Sequence, residues 1–274
     1  MINVPPSRDH SEVDLGTAAG VTDRGLRHHR NEDAMALASQ PGRDGLVTVA
    51  VVCDGVSSSP RPDEASQVAA QAALPVLLAA VRDGGNLVDA SRAAVLAGRE
   101  SVAGLREPAN DTSATTFLSV VAAPGNVTLC WLGDSRAYWL AQPASESLQL
   151  TRDDSVAGGM IEAGLATEEA AMASPQAHVL TRWLGAEAAD LGGDPARAPH
   201  VEHYSPPGTG VLLVCSDGLW NYLPEAADLA GLALPKALND PHGAAVDMMQ
   251  FAVDAGGADN ITVVLIPYRA PEGS

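Results

Sequence analysis

Five short apolar runs in this chain each carry an acid at one end. Val47–Cys53 leads into Asp54-Gly55, VTLCWLG ends on Asp134, and VLLVCS ends on Asp217. Asp259 sits directly before NITVVLI, and Glu32-Asp33 sits before the β-like segment Ala34–Ala38. Runs of this length and β-branched content read as buried strands. One Asp-Gly alone is a turn signal. Acids repeated at five strand ends are a stronger constraint, because strand ends are rigid and several can converge at one edge of a sheet pair.

The remaining pattern agrees with such a pair. Asp63 to Val81 reads as a helix with Asp63 as N-cap, a kink at Pro75 and a stop at Gly84-Gly85. A second helix is expected from Leu87 to Leu105. Thr115–Ala122 and Asn126–Leu132 form a hairpin across Pro124-Gly125. Further strands are read at Ala137–Ala141, Leu148–Thr151, Val201–Tyr204, Val211–Cys215 and Ile261–Ile266. Asp154–Ala173 reads as a helix broken by glycines, Asp217–Tyr222 as a turn into a helix, and Gly243–Ala255 as a helix. Consecutive strands with short turns imply antiparallel sheets, so the expectation is an α+β fold of packed sheets with helices outside. No GxGxxG follows the first strand, which argues against a doubly wound nucleotide fold. We expect one domain over residues 12–268, with residues 1–11 and 269–274 as flexible ends.

Charge narrows the function. The 274 residues include 34 Asp+Glu against 16 Lys+Arg, a formal net charge of −18. Such a field repels nucleic acid. Hydrophobic residues make up 46%, too many for wholesale disorder. Met1 to Gly20 lacks the apolar core of a secretory signal, and the Ala-rich run Ala69–Val81 is too short to span a membrane. Cys53, Cys130 and Cys215 lie far apart in apolar runs and read as buried free thiols, which fits a reducing cytoplasm. Trp131, Trp139, Trp183 and Trp220 read as core or shelf residues, and Met248 and Met249 as packing.

Converging carboxylates suit Mg²⁺ or Mn²⁺, which take oxygen ligands. Two such ions sharing a carboxylate activate water and clamp a phosphoryl group. Zinc is disfavoured: His28-His29 are adjacent, and there is no HExxH or cysteine pair. No G-x-S-x-G elbow provides a serine nucleophile.

The segments TDRGLRHHRNEDA, VVCDGV, TSATTFLSVV, LCWLGDSRAYWL, LTRDDS, LLVCSDGLW and ADNITVVL, in this order from about Leu15 to Ile266, resemble the bacterial metal-dependent protein phosphatases of type 2C. The resemblance implies an α-β-β-α sandwich with a dimetal cleft at one edge. It implies hydrolysis of phosphoserine and phosphothreonine by direct attack of metal-activated water. Asp54 matches the carboxylate bridging both ions, Gly55 a backbone-carbonyl ligand, and Asp217 and Asp259 further ligands. Asp134 matches a ligand of a third ion, with His178 placed where the flap contributes to it. Glu32 and Asp33 match acids that hold metal-bound waters. Residues 153–178 match a mobile flap.

Two departures stand out. The family's phosphate-gripping arginine is His28 here, flanked by Arg27 and Arg30, and any of the three is a candidate for that task. The family's DG-x-GG becomes Asp54-Gly55-Val56-Ser57-Ser58, so two glycines are serines. The resemblance further implies two Mn²⁺ or Mg²⁺ ions with room for a third, phosphorylated proteins of a serine/threonine kinase as partners, no nucleic acid, no membrane and a monomer. The alternatives are a catalytically weak phosphoprotein-binding module of the same fold and a small-molecule phosphohydrolase.

Overall fold

The computed structural model describes residues 9–105, 112–185 and 198–269. In chain order it opens with β1 (His10–Asp14), β2 (Ala19–Asp23), β3 (Asp33–Pro41), β4 (Leu46–Asp54), α1 (Pro62–Asp83) and α2 (Leu87–Ala103). Next come β5 (Ala114–Thr115), β6 (Phe117–Ala123), β7 (Asn126–Leu132), β8 (Arg136–Leu140), β9 (Leu148–Gln149), α3 (Val156–Glu162) and α4 (Glu168–Met172). The chain ends with β10 (Leu184–Gly185), β11 (His200–Tyr204), β12 (Gly210–Cys215), α5 (Asp217–Trp220), α6 (Ala226–Ala237), α7 (Pro241–Asp254) and β13 (Ile261–Tyr268).

Two antiparallel sheets form, ordered β1-β2-β13-β12-β8-β9 and β11-β7-β6-β4-β3. Their facing sides share a core that includes Val52, Leu118, Trp131, Trp139, Leu212 and Val264. The outer face of the β4-β6-β7 sheet packs on α1 and α2 through Val49, Val51, Phe117, Ala69 and Leu77. The outer face of the other sheet packs on α6 and α7 through Leu213, Val263, Leu229, Ala233 and Met248. The central strands β4, β6, β12 and β13 therefore bury alternate residues in two different cores. This explains the unbroken apolar runs and gives the expected four-layer α-β-β-α sandwich.

Several local expectations are corrected. Arg61, not Asp63, is the N-cap of α1, with φ at 50°. Pro62 takes the first helical position, where its missing N–H costs nothing, and Asp63 and Glu64 follow in the first turn. α1 continues through Pro75 to Asp83; Pro75 lies on the exposed face, where water can satisfy the carbonyl it leaves unpaired. By length and composition α1 is apolar enough to cross a membrane, contrary to the reading of its Ala-rich core. Here its apolar stripe of Ala65, Ala69, Ala73 and Leu77 is buried against the sheet and α2. The second helix stops at Ala103, and the strand at Leu148 is only two residues long.

The stretch from Asp154 splits into α3 and α4, capped by Ser155 and Thr167, with Gly164 at φ 66° between them. β1, β2 and α6 escape the sequence pattern. β1 (HSEVD) has no apolar run because it is an exposed edge strand. It begins at His10, inside the segment assigned to the flexible end; residues 1–8 and 270–274 of those ends lie outside the described residues. Cys53, Cys130 and Cys215 are buried and free, as expected.

The edge strand β1 is held by a charged relay. His10 Nδ1 lies 2.7 Å from Asp23 and its Nε2 2.8 Å from Glu12, while His242 of α7 approaches the other Glu12 oxygen at 2.6 Å. Hydrogen bonding to Glu12, with Asp23 behind it, raises His10 above its ordinary 6.5, against a smaller desolvation effect. Hydrogen bonding to His10 and then His242 lowers Glu12 below its ordinary 4.5. A raised histidine stabilises fully below its unfolded pKa and loses that contribution as pH rises through its folded value. A lowered carboxylate does the reverse, losing its contribution as pH falls below its unfolded value. β1 amides should thus show greatest hydrogen-exchange protection, corrected for intrinsic rates, at about pH 5–6.5. Protection that stays constant to pH 9, or a pH response that survives His10→Gln, contradicts this account.

Candidate metal centre

Asp33 and Asp54 are direct cross-strand partners at the paired ends of β3 and β4. Asp217 starts α5 where β12 ends, and Asp259 stands two residues before β13. Asp134 follows β7. All except Asp33 line one cleft of about 790 Å³ at an edge of the sandwich, together with Gly55, Ser57–Ser59, Thr116, His178 and Trp183. Of the six predicted acids, Asp54, Asp134, Asp217 and Asp259 therefore converge in the cleft, Asp33 stands beside Asp54 on the neighbouring strand, and Glu32 lines a separate depression.

Backbone constraints bring the strand ends this close. A Cβ on Gly218 would lie 1.9 Å from the Asn260 carbonyl oxygen, so Gly218 lets the Asp217 turn close against the Asp259 turn. A Cβ on Gly55 would meet the carbonyls of Pro62 and Glu32 at 2.4 and 2.7 Å. Gly133 takes φ 105° against Thr116 and swings the chain into Asp134.

Neutral groups, rather than cations, orient most of the acids. The Asp54 N–H donates to Thr116 Oγ1 at 2.9 Å, and its carbonyl accepts from Thr115 Oγ1 at 2.9 Å. Asp33 Oδ2 accepts from Ser216 Oγ at 2.6 Å and Thr262 Oγ1 at 2.7 Å. Behind Thr262, Asn31 donates to Thr22, which contacts Thr262 at 2.7 Å. Asn260 accepts from the Glu32 N–H and donates to the carbonyls of Arg24 and Arg30. Asn31, Ser216, Asn260 and Thr262 escaped the sequence reading as positioning residues. Their only signal was adjacency to the acids, because each acts through a partner on another strand.

The carboxylates repel one another. Burial, then the charges of Asp33, Asp217, Asp134 and Asp259, raises Asp54 well above its ordinary 3.8. Burial, then Asp134 and Asp259, does the same to Asp217. Asp134 is pushed up to about 7, first by burial and then by Asp153, and Asp33 to about 6, chiefly by burial. Asp33 Oδ1 is buried without a hydrogen-bond partner. An all-carboxylate cluster with an orphaned oxygen suits a hard divalent cation. One ligand atom each from Asp134, His178 and Asp217 also falls within 4.8 Å of the other two. His178 stacks on Trp220, which also lies under the Arg136 guanidinium at 3.7 Å and donates to the Asp134 carbonyl.

The basic candidates occupy the rim. His28 Nε2 lies 3.1 Å from Asp259. Arg30 is drawn to Glu32 at 3.1 Å and Asp63 at 3.4 Å. Arg27 is exposed and makes no ion pair among the described residues. Arg27, His28, His29, Arg30, Glu32 and Ser57 line one depression. Ser57, standing where a glycine was expected, donates its hydroxyl to Glu32. Of the two roles read for Trp183, core or shelf, the structure has the exposed one: it is 40% exposed at the cleft.

A model of the family Protein phosphatase 2C matches residues 26–235. The serine/threonine protein phosphatase PstP of Mycobacterium tuberculosis is 28% identical over 252 residues, covering 90% of this chain and 44% of its own length. The chain thus spans less than half of that relative. The solved PPM Ser-Thr phosphatase MsPP of Mycobacterium smegmatis, in complex with cacodylate, is 32% identical with a TM-score of 0.69, covering 93% of this chain and 99% of its own. The catalytic domain of PstP in complex with two manganese ions is 26% identical with a TM-score of 0.68, covering 90% and 96%.

The raised carboxylates set the sign of a stability test. A carboxyl group with a raised folded pKa stabilises when protonated and loses that contribution as pH climbs from 3.8 through its folded value. Above that range, and without metal, the charged cluster opposes folding. At pH 7.5 in chelator, Asp54→Asn should melt about 4 °C higher than the parent chain. The Mn²⁺-induced rise in melting temperature should shrink in that variant. Scanning fluorimetry checks both, and a lower chelated melting temperature in Asp54→Asn refutes the repulsion account.

Proposed function

The chain belongs to the Protein phosphatase 2C family, and from that premise we propose that it is a metal-dependent phosphoprotein phosphatase acting on phosphoserine and phosphothreonine. The observation carrying the proposal is the convergence of Asp54, Asp134 and Asp217 beside Asp259 in one open cleft, where no ion pair among the described residues reaches Asp54, Asp134 or Asp217. Such a cluster is costly unless it holds cations. Asp54, the Gly55 carbonyl, Asp217 and Asp259 would hold two ions, Mn²⁺ or Mg²⁺. Asp134 with Asp217 and His178 would hold a third. Bound there, such ions supply water activation and neutralisation of phosphoryl charge.

The chain's own groups divide the remaining work. Asp33 and Glu32 accept protons or hydrogen bonds from water at the edge of the cluster. Glu32 is held by Ser57 and Arg30, and Asp33 by Ser216 and Thr262. Arg27 and His28 offer the phosphate a positive rim, while Arg30 is largely spent on Glu32 and Asp63. Val56, next to Gly55, carries no proton, so water protonates the leaving group. The substrates are phosphorylated proteins made by a serine/threonine kinase. The chain acts as a monomer in a reducing cytoplasm, consistent with its three free thiols. A binding module that had lost turnover could shed these acids, yet all five strand-end positions retain them.

Hydrolysis of p-nitrophenyl phosphate and of a phosphothreonine peptide, with and without Mn²⁺, tests the proposal. Turnover should require Mn²⁺ and fall at least about 100-fold in Asp54→Ala, as expected when a metal-holding group is lost. Arg27→Ala should raise KM for the peptide about fivefold with kcat little changed, and Arg30→Ala should raise it less. Metal-independent turnover, or full activity in Asp54→Ala, removes the proposal.

A further inference from the structure

The cleft has walls of unlike chemistry. Its floor is carboxylate, but residues 178–183 give it an apolar surface of Val179, Leu180 and Trp183, and Val56 and Pro60 line the same cleft. Val179 is 53% exposed and Trp183 40% exposed. A lone exposed apolar side chain needs no explanation, but several adjoining ones lining a cleft do.

This wall is rigid. The Val156 N–H donates to the Val179 carbonyl at 2.9 Å, and the Thr181 N–H to the Asp154 carbonyl at 2.8 Å. Leu180 forms a bridge with Ser155. Just past Trp183, Leu184 and Gly185 pair with Thr115 and Ala114, and Thr115 in turn bridges to Gly55. The indole lies over Gly185, where a Cβ would come within 3.2 Å of the ring. Trp183 is thus held from both sides and fixed relative to Asp54. A pre-positioned aromatic surface binds at little entropic cost.

We infer that Trp183, with Val179, is a specificity-determining surface that takes a bulky apolar side chain flanking the phosphorylated residue. The inference rests on the phosphatase reading and goes beyond it by naming the substrate class: phosphoproteins whose phosphorylated serine or threonine has a large apolar neighbour. Continuity with the acid floor argues for this occupant, since a chain presenting its phosphate to Asp54 and Asp217 must run along a wall of the cleft.

Three phosphothreonine peptides of equal length test it, carrying phenylalanine, glycine or arginine at the two positions on each side of the phosphothreonine. In Mn²⁺ the parent chain should favour the phenylalanine peptide over the glycine one about tenfold in kcat/KM, mainly through KM. Trp183→Ala and, separately, Val179→Ser should bring that ratio toward one, whereas Trp183→Phe should keep most of it. The ratio is internal to each variant, so a partial loss of folded protein does not alter it. A ratio near one in the parent chain, a ratio unchanged in Trp183→Ala, or a preference for the arginine peptide overturns the inference. p-Nitrophenyl phosphate, which has no flanking residues, separates the two levels. If it too resists hydrolysis in Mn²⁺, the phosphatase reading itself fails and the inference goes with it.

Discussion

The mutual repulsion of carboxylates buried at one edge of the sandwich is the constraint on which the rest of the structure depends. Asp54, Asp134 and Asp217 are all raised above their ordinary range, with burial the largest cause and neighbouring acids next. Repulsion of this kind drives strand ends apart unless the remainder of the chain holds them. The holding force is the packing of three cores. The facing cores of the two sheets fix the strands, and the helices on each outer face keep the sheets from splaying. The site is therefore paid for by burial elsewhere, as is usual for functional clusters.

The way the acids are anchored follows from that constraint. If arginines or lysines held the floor carboxylates, the cluster would be neutral and would have no affinity left for a cation. Hydroxyls and amides instead hold the backbone and the neighbouring acid around them. Thr115 and Thr116 grip the backbone of Asp54, Ser216 and Thr262 grip Asp33, and Asn260 ties the loop before Glu32 to the start of β13. Such groups orient an acid and leave its charge intact. Full cationic pairing appears one layer out, where Arg136 meets Asp153 in a buried ion pair at 2.8 Å and lies over Trp220. That pair supports the Asp134 turn through Trp220 without neutralising Asp134 itself.

Much of this was legible in the sequence because two signals coincide at each acid. An apolar run marks a strand, and the acid breaks the run at its end. Asp54, Asp134, Asp217 and Asp259 could be read as one site for that reason, and the two-sided burial of the strands made the sheet pair legible as well. β1 was missed because an exposed edge strand has no apolar period to read. The N-cap of α1 was misplaced because Arg61 adopts a left-handed conformation that its side chain does not advertise. Asn31 and Asn260 were visible only as neighbours of acids, since Asn31 reaches Thr22 on another strand and the partners of the Asn260 side chain lie more than 200 residues away. Trp183 was read as a core or shelf residue without a choice between the two, because a tryptophan one residue before a short strand is indistinguishable in sequence from one that packs inward.

The net charge of −18 poses a difficulty for any reading in which the partner carries phosphate. The structure answers it by separating long-range and short-range forces. At physiological salt the field of distant surface acids is screened over about 8 Å, so a substrate in the cleft responds mainly to what lies within that distance. On one rim that is Arg27, His28 and His29; on the floor it is the acid cluster, whose charge reverses in effect when divalent cations occupy it. Along the cleft wall it is also Trp183 and Val179, which contribute without any charge at all. Apolar contact is the interaction least weakened by an unfavourable field. An acidic chain whose proposed substrates carry phosphate would thus have a physical reason to place part of its recognition on an indole rather than on further arginines.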